Sequence, residues 1–431
     1  MNLLDYLAER SFHDRALEFY LEINQGYLLD LKDTRPFLEE NFEESTLSVR
    51  YLNEKHLSGI TYTLSLKKDD IELAISRAKS LSNRGFPSVY PQLAETYPDI
   101  KTTPFEPLER KDSLSLLERG RRSISSFKEI TRLEREMLRC QKTSIYLIRG
   151  GKVLTWESPE YSFYLSVVAD SGKKQATGYA YRESLDPARL NVESLYFRAG
   201  KKATALSKGE RKGSLKCPIL FPPESAIELI SLLSFSLKGD EVIKGRSFLK
   251  SKLGKKVFSQ ALTLIDDGLD PELLESRPFD DEGSPQEKKT LIEKGEVKTF
   301  IWDAFYGSMA SFSSTGNARR DDPASPPKVD FTNLYLQKGP NTREDLLRRE
   351  RIVFEVLEIL GSHTADPISG DFSFGVSGVL YEGGEEVDYL SEMALSGNIF
   401  EILKDIEVGE DLTFFGASGS PSILVSDMDL G

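Results

Sequence analysis

The chain of 431 residues carries 56 Lys and Arg against 69 Asp and Glu, a formal net charge of −13. That length allows two or three domains with substantial cores, and the acidity argues against a generally nucleic-acid-binding surface. No run reaches the roughly 18 apolar residues of a membrane span, the start MNLLDYLAERSFHDR lacks a signal-peptide apolar core, and two cysteines, Cys140 and Cys217, are too few for a disulfide framework, so a cytoplasmic protein away from membranes is expected.

Along the first half, DYLAERSFHDR reads as a helix. ALEFYLEINQGYLLDLKD places alternating apolar runs on either side of Gln25-Gly26, which predicts a hairpin there. STLSVRYLNEKHLSGITYTLS predicts a second hairpin around Asn53-Glu54. In DDIELAISRAKSLSNRG the residues Ile71, Ala74, Ile75, Ala78 and Leu81 recur at helical spacing, with Gly85 as the stop. Five prolines make 86–108 an extended connection. From 113 to 140 the stripe Leu116, Leu117, Ile124, Phe127, Ile130, Leu133 and Leu138 predicts a charged helix or helix pair. SIYLIRGGKVLTWES and YSFYLSVVADSGKKQATGYAYRES predict hairpins turning at Gly150-Gly151 and Ser171-Gly172. The stretch 198–216 holds seven basic residues against one acid, which suits either a nucleic-acid or acidic-partner patch or a solvated helix end and linker. Composition changes after it, and the domain boundary is placed near 210.

In the second half, CPILFPP predicts a strand leading into an apolar helix over 224–238. Strands are expected at 261–265, 290–293 and 297–302, a polar loop at 321–327, and an amphipathic helix in EDLLRRERIVFEVLEIL. GDFSFGVSGVLYEGGEEVDYL reads as β structure, NIFEILKDI as a short helix and SILVSD as a last strand. The pattern predicts an α+β chain of two domains: an antiparallel sheet with helices over 1–210, then a β-rich, barrel- or sandwich-like domain over 211–431.

Four stretches in register, RPFDDEGSPQEKKTLIEKGEVKTFIWD (277–303), STGNARR (314–320), GSHTADPISGDFSFGVSGVLYEGGE (361–385) and SGNIFEILKDIEVGEDL (396–412), resemble the TldD/TldE family, whose TldE branch is also called PmbA. The resemblance extends to FYLEINQGYLLDLKD and LSVRYLNEKHLSGITYTLSL and so covers most of the chain. It implies a subunit of a heterodimeric zinc protease in which TldD carries an HExxxH helix running into Gly-Asp. Anchored on Gly239-Asp240, that motif falls on ISLLSF, so the first ligand position is Ile230, the base position Ser231 and the second ligand position Phe235. None of these side chains can ligate zinc or activate water. The resemblance therefore implies a non-catalytic TldE/PmbA-like subunit with no zinc of its own, paired with a TldD-type subunit that holds it. Alternatives are a homodimeric, gyrase-modulator-like binding protein, or a hydrolase using a different site. An extended peptide is the expected substrate, without direct nucleic-acid contact.

Other candidates for chamber or interface contacts come from residue type. Asp280, Asp281 and Glu282 suit a hard cation or an acid/base pair, or else a turn whose side chains cap backbone groups. His363, expected just beyond a helix C-terminus, suits a proton donor or a capping role. Asn317 with Arg319 and Arg320 suits a grip on a substrate carboxylate, a subunit contact or a solvated loop.

Overall fold

The computed structural model describes residues 2–431. The N-terminal half runs α1 (Leu3–His13), β1 (Leu17–Lys32), β2 (Arg35–Leu52), β3 (Leu57–Thr63), α2 (Lys68–Leu81), β4 (Phe86–Pro87), α3 (Arg110–Ser123), β5 (Ile130–Arg149), β6 (Lys152–Asp170), β7 (Gln175–Ser184) and α4 (Val192–Lys208). Its strands form one antiparallel sheet in the order β4-β3-β2-β1-β5-β6-β7. Strand β1 shows how the sheet is used. Leu17, Phe19 and Leu21 pack in a core with Ile71, Ala74 and Ala78 of α2, while Glu18, Tyr20 and Glu22 alternate onto the opposite face. The second core of this half sets Leu195, Tyr196, Ala199 and Ala203 of α4 against Phe163, Leu165 and Val167 of β6.

Two expectations fail here for readable reasons. No turn occurs at Gln25-Gly26: β1 runs straight through and turns at Asp33-Thr34, both with positive φ (47° and 64°), as a tight hairpin requires. Gly26 serves a close strand approach instead, since a Cβ there would lie 2.2 Å from the Cys140 carbonyl oxygen. The helix expected over 113–140 stops at Ser123, and Ile130 begins β5. The period-two pattern Glu136, Leu138, Cys140 is disguised because its first member is a buried carboxylate, held by the Arg121 guanidinium (2.8 and 2.5 Å). Helix α2 keeps its stripe except for Leu81, which is exposed.

The C-terminal half contains β8 (Leu215–Phe221), α5 (Pro223–Ser234), α6 (Gly239–Ile243), β9 (Leu264–Asp267), β10 (Lys288–Glu293), β11 (Glu296–Val297), α7 (Ala304–Met309), β12 (Ala318–Arg319), β13 (Lys328–Val329), β14 (Leu334–Leu336), α8 (Arg343–Leu347), β15 (Ile352–Leu360), β16 (Asp371–Glu382), β17 (Glu385–Asn398), α9 (Ile399–Ile402), β18 (Ile406–Val408), β19 (Thr413–Phe415), β20 (Ser418–Ser420) and β21 (Ile423–Leu430). Strands β17-β16-β15-β8-β21 close into a five-stranded barrel where Leu395 pairs with Leu430. A second sheet, β11-β10-β9-β14-β20-β19, flanks it, and α5 lies in the core shared by both. The chain is thus α+β, with a barrel rather than a sandwich. The helix expected over 344–360 is only α8, capped by Thr342 and Asp345; Ile352–Leu360 is a barrel strand. Its pattern misleads because Glu355 is buried among Val353, Phe354 and Val356, neutralised by Arg343. The strand expected at 297–302 reduces to Glu296–Val297.

Helix α4 seats on β7 at Gly178, where a Cβ would meet the Ala199 carbonyl oxygen at 2.3 Å and the Ala203 nitrogen at 2.4 Å. Gly178→Ala should therefore cost about 1–3 kcal/mol by overpacking. Gly213→Ala, with open space around it, should stay within about 0.5 kcal/mol. Urea denaturation midpoints compare the two, and equal midpoints would refute the seating.

Candidate functional site

Helix α5 begins at Pro222-Pro223 with Glu224 in its first turn, the residue types that favour a helix start. Leu229, Ile230 and Leu233 point into the shared core. Glu228, Ser231 and Phe235 fall at i, i+3 and i+7 and line a cavity of about 360 Å³, together with Lys238, His363 and Phe374. The helix gives way to a 3₁₀ turn at Phe235–Leu237 and then to α6 at Gly239. That glycine is set by packing, since a Cβ would strike the Trp302 ring at 2.1 Å.

The structure thus brings Ser231, Phe235 and His363 to one cavity and leaves Ile230 behind them, 2 % exposed. An aliphatic, a hydroxyl and a phenyl group do not fit a zinc ion, and no group of three or more His, Cys, Asp or Glu side chains among the described residues could hold one. His363 follows strand β15 rather than a helix and is exposed. Glu228 and Lys238 were missed in the sequence. Glu228 was findable, because it stands one turn before Ser231 on the same face. Lys238 pairs with Asp330 at 2.8 Å.

The other predicted residues lie elsewhere, where the barrel domain meets the bare face of the N-terminal sheet. Glu18 is fully buried there: Arg149 donates to Oε2 at 2.5 Å, and Arg50 and Arg320 each stand 3.5 Å from Oε1. Arg50 also donates to Glu282 Oε1 at 3.1 Å and to the Val89 carbonyl at 3.1 Å, and Glu282 Oε2 accepts from the Ala304 N–H at 3.2 Å. Asp280 accepts from the backbone N–H groups of Glu282, Ser284 and Ala318 (3.0, 2.8 and 3.0 Å). Asp281 accepts from Arg277 (2.8 Å) and the Arg320 N–H (2.7 Å). The acidic triplet is therefore buried and caps backbone groups, its turn role, while also joining the two halves of the chain. Asn317 is likewise internal, donating to Asp266 (2.8 Å) and the Asp330 carbonyl (3.0 Å). Arg319, paired with Glu275, and Arg320 line a cleft of about 240 Å³ with Tyr20, Glu22, Trp156 and Glu160.

Charge in this region is tuned by burial. Desolvation, with the Glu282 charge nearby, pushes the Asp280 carboxyl up to about 7, and the same two causes raise Asp303 to about 7. Burial would also raise Asp281, but Arg277, Arg319 and Arg320 hold it below the usual carboxylate range. Both cysteines are buried and unpaired, and burial pushes the Cys217 thiol up to about 11, so neither offers a thiolate nucleophile. No helix among the described residues is long and apolar enough to cross a membrane.

A hairpin sheet packed on a closed barrel, with an internal helix bordering a cavity, defines a class of two-domain α+β proteins. Residues 214–431 match the model of the PmbA/TldA metallopeptidase C-terminal domain, and the chain belongs to the PmbA/TldD/TldE family. An uncharacterized protein of Methanocaldococcus jannaschii is 31% identical over 54% of this chain and 55% of its own. A metalloprotease TldD homolog of Buchnera aphidicola is 29% identical over 59% of this chain and 50% of its own. The chain thus matches about half the length of these curated relatives. A metalloprotease PmbA homolog of the same species is 22% identical over 87% of this chain and 83% of its own. Among solved structures, a proposed modulator of a DNA gyrase from Thermotoga maritima superimposes with TM-score 0.85 at 23% identity, covering 100% of this chain and 99% of that one. TldE from Thermococcus kodakarensis gives 0.84 at 21% identity, covering 99% of each. Both show the same fold.

Glu18→Gln would leave Arg50, Arg149 and Arg320 around a neutral amide, and breaking such a buried ionic cluster should cost about 3–5 kcal/mol. Breaking the exposed Arg10–Glu72 pair should cost less than about 1 kcal/mol. Equilibrium unfolding of the two variants, Glu18→Gln and Arg10→Ala, separates these values. For pH, Asp280 and Asp303 have folded pKa values near 7, above their ordinary 3.8. Their contribution is present below the ordinary value and is lost as pH rises through 7. Asp303→Asn keeps the cap that accepts the Tyr306 N–H and removes one of the two titrations. The fall in Tm between acid and neutral pH should be shallower in this variant, and an unchanged slope would count against a protonated Asp303.

Proposed function

We propose that this chain is a non-catalytic, TldE/PmbA-like subunit that completes the substrate chamber of a zinc peptidase whose metal sits in a TldD-type partner. One observation carries the proposal. Helix α5, onto which the resemblance maps the metal motif of the catalytic branch, lies in the core and borders a cavity, and its Ile230, Ser231 and Phe235 supply neither ligand nor base. Family membership and the TldE-like fold support it. A second, homodimeric arrangement leaves the same cavity without a metal donor set and gives no peptidase.

In this function the substrate is an extended, unfolded peptide or leader segment, and the compartment is the cytoplasm. Strand β7 ends the N-terminal sheet, and an edge of that kind accepts an extended chain through backbone hydrogen bonds. A hydrolase built on the acidic triplet and His363 is disfavoured by position: His363 lines the α5 cavity, whereas Asp281 lines the interdomain cleft.

The test is zinc analysis and cleavage of an unfolded peptide by the isolated chain, by a TldD-type subunit and by their mixture. The expected outcome is no zinc and no turnover alone, and zinc-dependent turnover on mixing that exceeds the partner's own. Stoichiometric zinc with turnover in the isolated chain would overturn the proposal.

A further inference from the structure

A cavity of about 370 Å³ opens between β7, α4, the β8–α5 connection and β19. It is distinct from the α5 cavity and from the interdomain cleft, and its volume is that of small-molecule sites, roughly 300–1,000 Å³. In a chain of net charge −13 its lining is basic. Arg182, Arg198, Lys201, Lys202 and Arg343 face Glu224 and Glu355. The carboxylates do not balance them. Glu355 is taken by Arg343 at 2.6 Å and by the Tyr381 hydroxyl at 3.0 Å. Glu224 is shared between Arg198 at 2.9 Å and Lys202 at 3.6 Å. Lys201 turns away to Glu386 at 3.1 Å.

Two cations are left short. Arg182 has no carboxylate partner among the described residues, and its one hydrogen bond runs from Nη1 to the Arg189 carbonyl at 3.4 Å. Burial, with the Arg198 charge close by, lowers its pKa. The Lys202 side chain is only 7 % exposed, yet its ammonium stands beyond hydrogen-bond reach of Glu224 and rests on the Tyr179 ring, 3.8 Å from the centroid. The polar atom of this lining that is buried without a hydrogen-bond partner is Glu224 Oε1, which the Lys202 ammonium faces at 3.6 Å; the ammonium itself keeps donors free for an acceptor that enters the cavity. Beside these groups Phe197 is half exposed, an apolar wall next to the charge.

We propose that this cavity binds a small organic anion, a carboxylate or phosphate carried on an aromatic or apolar group, with Lys202 and Arg182 donating to the oxyanion and Phe197 packing against the apolar part. The basic stretch that begins at Arg198 is then neither a linker nor a nucleic-acid patch; its first turns form one wall of the site. Both acceptor chemistries suit a pair of cations lining one cavity, so the ligand is either an organic phosphate or the C-terminal carboxylate of a peptide ending in an apolar residue.

The experiment is calorimetric titration of the full chain with phenyl phosphate, with N-acetylphenylalanine and with N-acetylphenylalanine amide. Saturable binding of at least one of the two anions, and none of the neutral amide, is expected. The stronger of the two identifies the source, phosphate ester or peptide terminus. Arg182→Gln and Lys202→Met should each weaken that binding tenfold or more. Arg182→Gln loses only one long hydrogen bond and keeps the test open if Lys202→Met fails to fold. Absence of saturable binding for both anions, equal binding of the amide, or unchanged affinity in Arg182→Gln would overturn the assignment.

Discussion

The buried carboxylate of Glu18 is the point on which the two halves of the molecule close. Two of its arginines, Arg50 and Arg149, come from the N-terminal sheet, and the third, Arg320, comes from the barrel half. In a low-dielectric interior each charge depends on the others, because any one left alone would carry a large desolvation penalty. Such a cluster adds little net stability over an apolar contact of the same size, but it tolerates few geometries. We infer that its value lies in fixing how the sheet face meets the barrel. Apolar packing reinforces it: Phe279 sits with Tyr20, Ile145 and Leu147, and the Tyr97 hydroxyl donates to the Gly283 carbonyl at 2.8 Å.

This constraint explains the shape of the interdomain cleft. Its barrel-side walls, 274–282 and 316–323, are largely irregular backbone, which can be buried only if its N–H and C=O groups find partners. The acidic triplet supplies them. Asp280 gathers three N–H groups from two loops, and Asp281 and Glu282 each tie a backbone N–H to a buried arginine. Three consecutive carboxylates that look like a cation site in the sequence are, in place, a substitute for secondary structure. The elevated pKa of Asp280 comes from its burial and the neighbouring Glu282 charge, which outweigh the three N–H bonds that favour its ionised form.

Much of the fold was legible because its hairpins obey local rules. Gly150-Gly151 and Ser171-Gly172 are turns, and the α2 stripe is a helix with four of its five positions buried. The two strands misread as helix share one cause. Glu136 and Glu355 are buried acids inside strands, and a charge at an inward position breaks the alternation that identifies a strand. Their neutralising partners, Arg121 and Arg343, stand 15 and 12 residues away, and nothing in a local window shows that they meet. Gly26 failed differently: close strand approach and a turn both call for glycine, and only the pairing distinguishes them. For the site, residue types pointed to the right segments but not to their relations. His363 and Ser231 lie 132 positions apart in sequence and share a cavity, whereas the neighbours Ile230 and Ser231 face opposite ways.

Helix α5 shows how fold and chemistry separate in such a chain. Its position is set by Leu229, Ile230 and Leu233 in the core and by Gly239 against Trp302, none of which depends on a metal. The stripe Glu228, Ser231 and Phe235 looks into the cavity, flanked by Leu232 and Ser234. Substitution along that stripe changes what the cavity can bind while leaving the core contacts untouched, so loss of a donor carries little structural penalty. Ile230 is different, because it is itself part of the core. An imidazole there would have to displace packed aliphatic groups to reach the cavity that Phe235 borders. Fitting a metal to this helix would therefore require rotating or repacking it as well as exchanging its side chains, which places the constraint in the core rather than in the cavity.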